Sequence, residues 1–355
     1  MRFDDIFVRG TGTWLPPRLR LADAVAAGDC PPVLAARTEV LSVTVAQGDS
    51  APEMAVRAAR RAVERAGSGA GDVDLVLHAD TWFQGHDAWA VASYVQRETV
   101  AGQCPALEIR QMSNGGLAAL DLAASYLTAA PARRDALLTT GDRYGLPGFD
   151  RWRTDPGTPY ADGGAALVLS RRGGFARLVS LATHADPELE PLHRGEDPFA
   201  TAPLGHRVPL SFEDATRAFN LRHGMSYALR RLAEGQATVL KHALSDAGLE
   251  LPEIDWVVLP HFGRMRLESL YYERFGIDPA RTTWDWGRTV GHLGAGDQFA
   301  GLDHLVTTGR AAPGDRCLLV GVGAGYSWGC AVLDILERPS WTDTDADADT
   351  DTDAL

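Results

Sequence analysis

Long apolar runs are missing from this chain. No stretch approaches the roughly 18 consecutive apolar residues of a membrane-spanning helix, so no span is expected. The start, MRFDDIFVRGTG, has neither the basic n-region nor the apolar h-region of a secretory signal, and none is expected. Cysteine is scarce: Cys30, Cys104, Cys317 and Cys330 are widely separated, with no Cys-x-x-Cys pair. That spacing supports neither a metal site nor a disulfide framework, and it fits a reducing cytoplasm in which each thiol is a small buried hydrophobe. Positive charge is in deficit, with 34 Lys and Arg against 47 Asp and Glu and a net charge of −13. Phosphate binding needs clustered Lys and Arg, so nucleic acid is not an expected partner. Six of the acidic residues (Asp343, Asp345, Asp347, Asp349, Asp351 and Asp353) crowd the end of the chain. That run lacks the Gly and closing Glu of an EF-hand loop, and 339–355 reads as a solvated disordered tail. The rest is ordinary globular composition, 45% hydrophobic over 355 residues, enough for two domains or two halves around one core.

The chain repeats itself. APEMAVRAARRAVERAGSGAGDVDLVLHADT (Ala51 to Thr81) and GQATVLKHALSDAGLELPEIDWVVLPHF (Gly235 to Phe262) share one plan. Each has an Ala-rich amphipathic helix, an Ala-Gly stop, an acidic turn, then Asp and an apolar strand. Downstream, Ser113-Asn-Gly-Gly opens the helix LAALDLAASYLTAA before the strand DALLTTG ending at Gly141. Gly291-His-Leu-Gly-Ala-Gly opens the helix through QFAGLDHLVTTG before DRCLLVG ending at Gly321. The spacing is nearly constant, from Asp74 to Asp255 and from Gly141 to Gly321. Apolar strands such as LVLHA and CLLVGVGAG predict burial on both faces, beneath helices. The expected architecture is an internally duplicated α/β core in five layers, αβαβα, with halves over 1–175 and 176–338. The Pro-, Gly-, Arg- and Asp-rich segments 144–160 and 186–212 read as loops covering a site.

Duplication brings equivalent loops together near the pseudo-twofold axis. Ser113 and His292 occupy such loops, at the starts of matching helices, and His261 ends the strand VVLP where the first half has Asp80. A hydroxyl and two imidazoles then share one pocket. Asp297, about one helical turn beyond His292, is placed to orient its imidazole. Each residue has a plainer use: Ser as an N-cap, His in a structural turn, Asp as a favourable first-turn charge.

These residues carry a family resemblance. GVGAGYSWGCAVLDI (Gly321 to Ile335) resembles the Gly-Gly-Gly-x-x-Trp-Gly signature of ketoacyl-acyl carrier protein synthase III. YADGGAALVLSRR resembles that family's Gly-Asp-Gly-Ala-Gly-Ala strand, LPHFGRMR stands where it has Pro-His-Gln-Ala-Asn-x-Arg, and GHLGAG where it has Gly-Asn-Thr-Ser-Ala. The resemblance covers about residues 1–338. It implies a thiolase-type fold, a homodimer formed through the first half, and acyl groups delivered on coenzyme A or an acyl carrier protein, with no further cofactor. The departures are as informative. The family's nucleophilic Cys aligns with Ser113, its catalytic Asn with His292, and its Gln-Ala-Asn run with Phe262-Gly263-Arg264. A Ser, His and Asp set of this kind resembles the offshoot found in polyketide and antibiotic pathways, which includes acyltransferases and starter-unit enzymes.

The resemblance implies roles. Ser113 takes an acyl group from a thioester, His292 serves as base and Asp297 orients it, because a serine hydroxyl needs such help. Backbone N–H groups of Ser113 and Gly325 form the oxyanion hole, and His261 helps polarise the pocket. His193 in the cover loop is a possible accessory. Arg266 matches the family's carrier-contacting Arg, Arg264 adds a second charge, and together they form a basic mouth for an acidic carrier. Trp82, Phe83, Trp89, Trp284 and Trp286 are candidates for lining the acyl pocket, or for the core. The expected activity is acyl transfer to a hydroxyl or amine of a small-molecule acceptor. The alternatives are decarboxylative condensation by a starter-unit synthase, with His261 and His292 as a pair, and a non-catalytic binding role.

Overall fold

The computed structural model describes residues 1–342; the acidic run beyond, where most of the disordered tail is expected, lies outside the described residues. Nine strands form the main sheet: β1 (Phe7–Trp14), β2 (Val73–Ala79), β3 (Ala106–Ile109), β4 (Asp135–Asp142), β5 (Gly163–Ser170), β6 (Ala176–Ala185), β7 (Trp256–Val258), β8 (Arg316–Gly323) and β9 (Ser327–Ile335). Four helices carry the layering: α1 (Ala51–Ala66), α2 (Gly115–Thr128), α3 (Met225–Ala247) and α4 (Asp297–Thr307).

The strand order is β3-β2-β4-β5-β1-β6-β9-β8-β7, two copies of one pattern meeting at the middle. In the first half β2 runs parallel to β3 and β4, while β5 is antiparallel to β4 and β1. In the second, β7 runs parallel to β8, while β9 is antiparallel to β8 and β6. The counterpart of β3 shrinks to one parallel bridge, Val257 to Thr282. Strands β1 and β6 pair at Phe7 with Arg177 and Val8 with Ala176. The chain ahead of β1 extends the seam through the Arg2–Ser180 bridge, and through the Leu178 N–H to the Ile6 carbonyl and the Phe3 N–H to the Val179 carbonyl, both at 2.9 Å.

Helix α1 forms because Ser50 and Glu53 close a capping box, Pro52 lies in the first turn, and Gly67 ends it at φ 60°. Its alanine face covers β1, β4 and β5 from outside, and α3 covers β6 and β9 in the same way. Helices α2 and α4 are sandwiched between the two half-sheets and touch strands of both, which makes the expected five layers. Helix α3 begins at Met225, ahead of the Gly235 that opens the repeat in sequence. The beginning of the expected tail is docked rather than free: Trp341 meets Phe175 edge-on, with centroids 5.7 Å apart, and Thr342 is buried.

The two sandwiched helices set the distance between the halves. Each is entered through a single 3-10 turn, Met112–Asn114 before α2 and Gly294–Gly296 before α4. These turns nearly touch: a Cβ on Gly116 would lie 2.5 Å from the Ala295 carbonyl oxygen. Backbone, not a flexible side chain, would have to move. Gly116→Ala should therefore lower stability by about 1–3 kcal/mol, read as a lower urea midpoint at unchanged m-value. Gly71→Ala, at a position open to solvent, should unfold at the wild-type midpoint.

Candidate active site

The turn into α2 presents Ser113. Met112, just before it, adopts the left-handed region at φ 50°, so the backbone bends sharply where strand-side chain gives way to helix, as at nucleophile elbows. The N-cap of α2 is Asn114, and no side chain caps this end. Ser113 is thus not spent on capping. Its Oγ lies 2.8 Å from Nε2 of His292, across the pseudo-axis.

His292 is held from both sides of its backbone. Its N–H donates to the Pro159 carbonyl at 2.9 Å, and its own carbonyl accepts from the Ala161 N–H at 2.8 Å. The rings of Tyr160 and Phe262 stand edge-on to the imidazole, with centroids at 5.0 and 5.5 Å. Nδ1 lies 2.5 Å from Oδ2 of Asp297. An ionised carboxylate only accepts, so the proton resides on Nδ1 and Nε2 carries the lone pair that faces the Ser113 hydroxyl.

Asp297, the first residue of α4, is wholly buried. Burial pushes its carboxyl upward, but His261, His292 and backbone donors outweigh that and hold it below the ordinary carboxylate range. The donors are the His261 N–H to Oδ2 and the Leu293 N–H to Oδ1, both at 2.8 Å.

His261 stands on the far side of that carboxylate. Its Nδ1 donates to the Gly291 carbonyl at 3.0 Å and lies 3.3 Å from Asp297 Oδ1. Nε2 is buried with no hydrogen-bond partner among the described residues, against Gly287 of the helix Trp284–Val290. Ser113, His292, Asp297 and His261 are thus brought together as expected from the duplicated loops, with the Asp297 carboxylate engaging both imidazoles, His292 through Oδ2 and His261 through Oδ1.

Other expected residues lie further out. Gly325 sits exposed at a turn with φ 86°, and the glycine that abuts the Ser113 turn is Gly323. A Cβ there would lie 2.2 Å from the Gln111 carbonyl and 2.9 Å from the Asn114 nitrogen. His193 packs on Phe212 and Tyr326 rather than on the triad, and burial pushes its imidazole down to about 4. It lines a cavity of about 290 Å³ beneath the 193–212 loop, with Phe199, Leu210 and Phe212. Neither arginine of the expected basic mouth is an unpaired cation. Arg264 bonds Glu268 at 2.9 Å, and Arg266 grips Asp155 with both terminal nitrogens at 2.6 and 2.8 Å. The five aromatics do not line one pocket: Trp82 joins Phe149, Phe83 is exposed, and Trp286 stacks on His304.

Residue-by-residue reading of the sequence missed Tyr160, Gly323 and the Asp155–Arg266 pair. Tyr160 begins the quoted YADGG segment, but nothing in the linear text signals that its backbone bridges to His292.

With the geometry in view, the chain can be compared with known proteins. Residues 244–335 match the family model for the C-terminal part of 3-oxoacyl-[acyl-carrier-protein] synthase III. Beta-ketoacyl-[acyl-carrier-protein] synthase III of Rhizorhabdus wittichii is 29% identical over 335 residues, 92% of this chain and 98% of that protein. The solved structure of ChlB3, an acyltransferase, superposes with a TM-score of 0.91 at 40% identity, over 95% of this chain and 100% of that one. 3-Oxoacyl-[acyl-carrier-protein] synthase III of Aquifex aeolicus superposes with a TM-score of 0.74 at 21% identity, over 93% of this chain and 99% of that one; at that identity it shows the shared thiolase-type fold.

The Asp155–Arg266 pair has a consequence in acid. Burial would raise the Asp155 carboxyl, but the guanidinium overrides this and holds it at about 2, against about 3.9 in an unfolded chain. A carboxyl depressed by folding adds stability above its unfolded value, and that contribution disappears as pH falls toward the folded value. Wild-type protein should therefore lose stability between about pH 4 and pH 2 more steeply than Asp155→Asn, as followed by urea midpoints across that range.

Proposed function

Because the chain belongs to the 3-oxoacyl-[acyl-carrier-protein] synthase III-like family of thiolase-fold enzymes, we propose that it is an acyltransferase. It takes an acyl group from a coenzyme A or acyl carrier protein thioester onto Ser113 and passes it to a hydroxyl or amine. The observation that carries this reading is the chain of hydrogen bonds from Ser113 Oγ through His292 to Asp297, at 2.8 and 2.5 Å. The likeness to the acyltransferase ChlB3 supports it, and the names of the synthase relatives support a carrier-bound donor.

The steps follow from the proton positions. His292 Nε2 takes the hydroxyl proton as Ser113 Oγ bonds to the thioester carbonyl carbon. The tetrahedral oxyanion is met by the Ser113 N–H and by the 323–325 turn. Collapse breaks the C–S bond, and the imidazolium returns its proton to the leaving thiolate. In the second half, His292 deprotonates the acceptor, which attacks the oxyester, and the same proton then goes back to Ser113. The buried, ionised Asp297 stabilises the imidazolium in both halves. One base that takes and returns a proton suffices.

The position of His261 favours transfer over condensation. Decarboxylation of a malonyl group needs donors aimed at the developing enolate, whereas His261 turns Nδ1 to the Gly291 carbonyl and the Asp297 carboxylate and packs its other edge against Gly287. We read the working form as a cytoplasmic homodimer built through the first half. Edge strand β3, with Leu107 53% exposed, is suited to continuing the sheet into a second copy.

Intact-protein mass spectrometry after mixing with acyl thioesters tests the reading. Ser113→Ala should acquire no acyl mass. Asp297→Asn should slow acylation by about 10⁴-fold, because an amide hydrogen bonds the wrong histidine tautomer. His261→Ala should be much milder than His292→Ala. Acyl mass on Ser113→Ala would overturn the choice of nucleophile. Carbon dioxide released from a malonyl carrier, and lost equally in both histidine variants, would replace transfer with condensation.

A further inference from the structure

The segment from Asp155 to Ala161 crosses from the cover loop to the base of the triad, and one arginine holds it. The Arg266 guanidinium meets both oxygens of Asp155 and also donates to Thr158 Oγ1. Gly157 lies against the guanidinium, and its carbonyl accepts the Gly263 N–H at 2.9 Å. The next three residues are the ones that grip His292: Pro159 and Ala161 through their backbone, Tyr160 through its ring. Arg266 also stands over the Phe262 ring, 5.4 Å from its centroid, and Phe262 is the other ring flanking His292. Both walls of the imidazole are therefore tied to a single cation.

That cation, half-buried, already has its partners within the chain. The Asp155 carboxyl, only 15% exposed, faces it in a bidentate pair, the geometry for which guanidinium is suited and ammonium is not. Thr158 takes a further donor. A carrier phosphate or carboxylate would have to displace these partners.

We propose that Arg266 is a positioning residue that sets the place of the His292 imidazole between Tyr160 and Phe262. The inference rests on His292 being the general base. Loss of the guanidinium frees the 155–161 segment and lets the imidazole drift from Ser113 Oγ. Misplacement by about 1 Å can cost on the order of 10²-fold in rate.

The test uses single-turnover acylation of Ser113 by a small thioester with no carrier, followed by mass. Arg266→Ala should lower the maximal rate by about 10²-fold with little change in the half-saturating thioester concentration. Arg266→Lys should fail to restore it, because an ammonium cannot span both Asp155 oxygens. In the His292→Ala background, Arg266→Ala should cost nothing further, since there is no imidazole left to place. A full additional loss in that background would overturn the inference, as would a normal rate with the small thioester and a raised KM only for a carrier-bound donor. If Arg266→Ala does not fold, Asp155→Asn leaves Arg266 in place and goes through the same two backgrounds with the same expectations. The reading beneath is checked separately: His292→Ala acylating at the wild-type rate would remove the general base, and both proposals with it.

Discussion

A single buried negative charge organises this molecule. Asp297 has no exposed surface, and an ionised carboxylate in such a place is costly unless every oxygen is met. Two backbone N–H groups and two imidazoles meet it. They come from the loop after β7 and from the turn before α4, so those segments can settle only where the carboxylate is. Once they do, the tautomer of His292 follows, since Nδ1 must donate. The lone pair on Nε2 then has one direction left, toward Ser113. Stability and chemistry draw on the same electrostatic requirement, and removing the charge disturbs both.

The duplicated plan explains how so few residues suffice. Each half supplies a 3-10 turn and a sandwiched helix at the same place in its sheet, and the two turns pack against each other at Gly116 and Ala295. Symmetry supplies proximity, and divergence at equivalent positions supplies function. Ser113 in one turn faces His292 in the other. After β2 the first half has Asp80, bonded to Arg110 at 2.7 Å; after β7 the second has His261, engaged with Asp297. Two copies of one scaffold hold different members of one hydrogen-bonded chain.

Much of this was legible in the sequence, because it rests on local rules or on repetition. The Ser50–Glu53 box and Gly67 announce α1, the apolar runs announce β2 and β8, and the spacing of Ser113 from His292 announces their meeting. What was hidden depends on contacts between distant segments with no periodic signal. Nothing near Arg266 shows that Asp155, more than a hundred positions earlier, will take its charge. The orientation of His261 was equally hidden, since it is decided by the Gly291 carbonyl and by the room beside Gly287. The close packing at Gly323 was hidden as well, since among the glycines from 321 to 325 only that one meets other backbone.

The seam between the half-sheets is continuous from Met1 to Val8, where the chain pairs with β6, and α2 and α4 bridge the same halves by touching strands of both. Ser113 belongs to one half and His292 to the other, and the chain passes between the halves from Ser170 to Ala176. A cut in that connection would leave the Ser113 hydroxyl on one fragment and the His292 imidazole on the other. Their hydrogen bond is thus a property of the assembled pair and reports whether the halves are seated on each other.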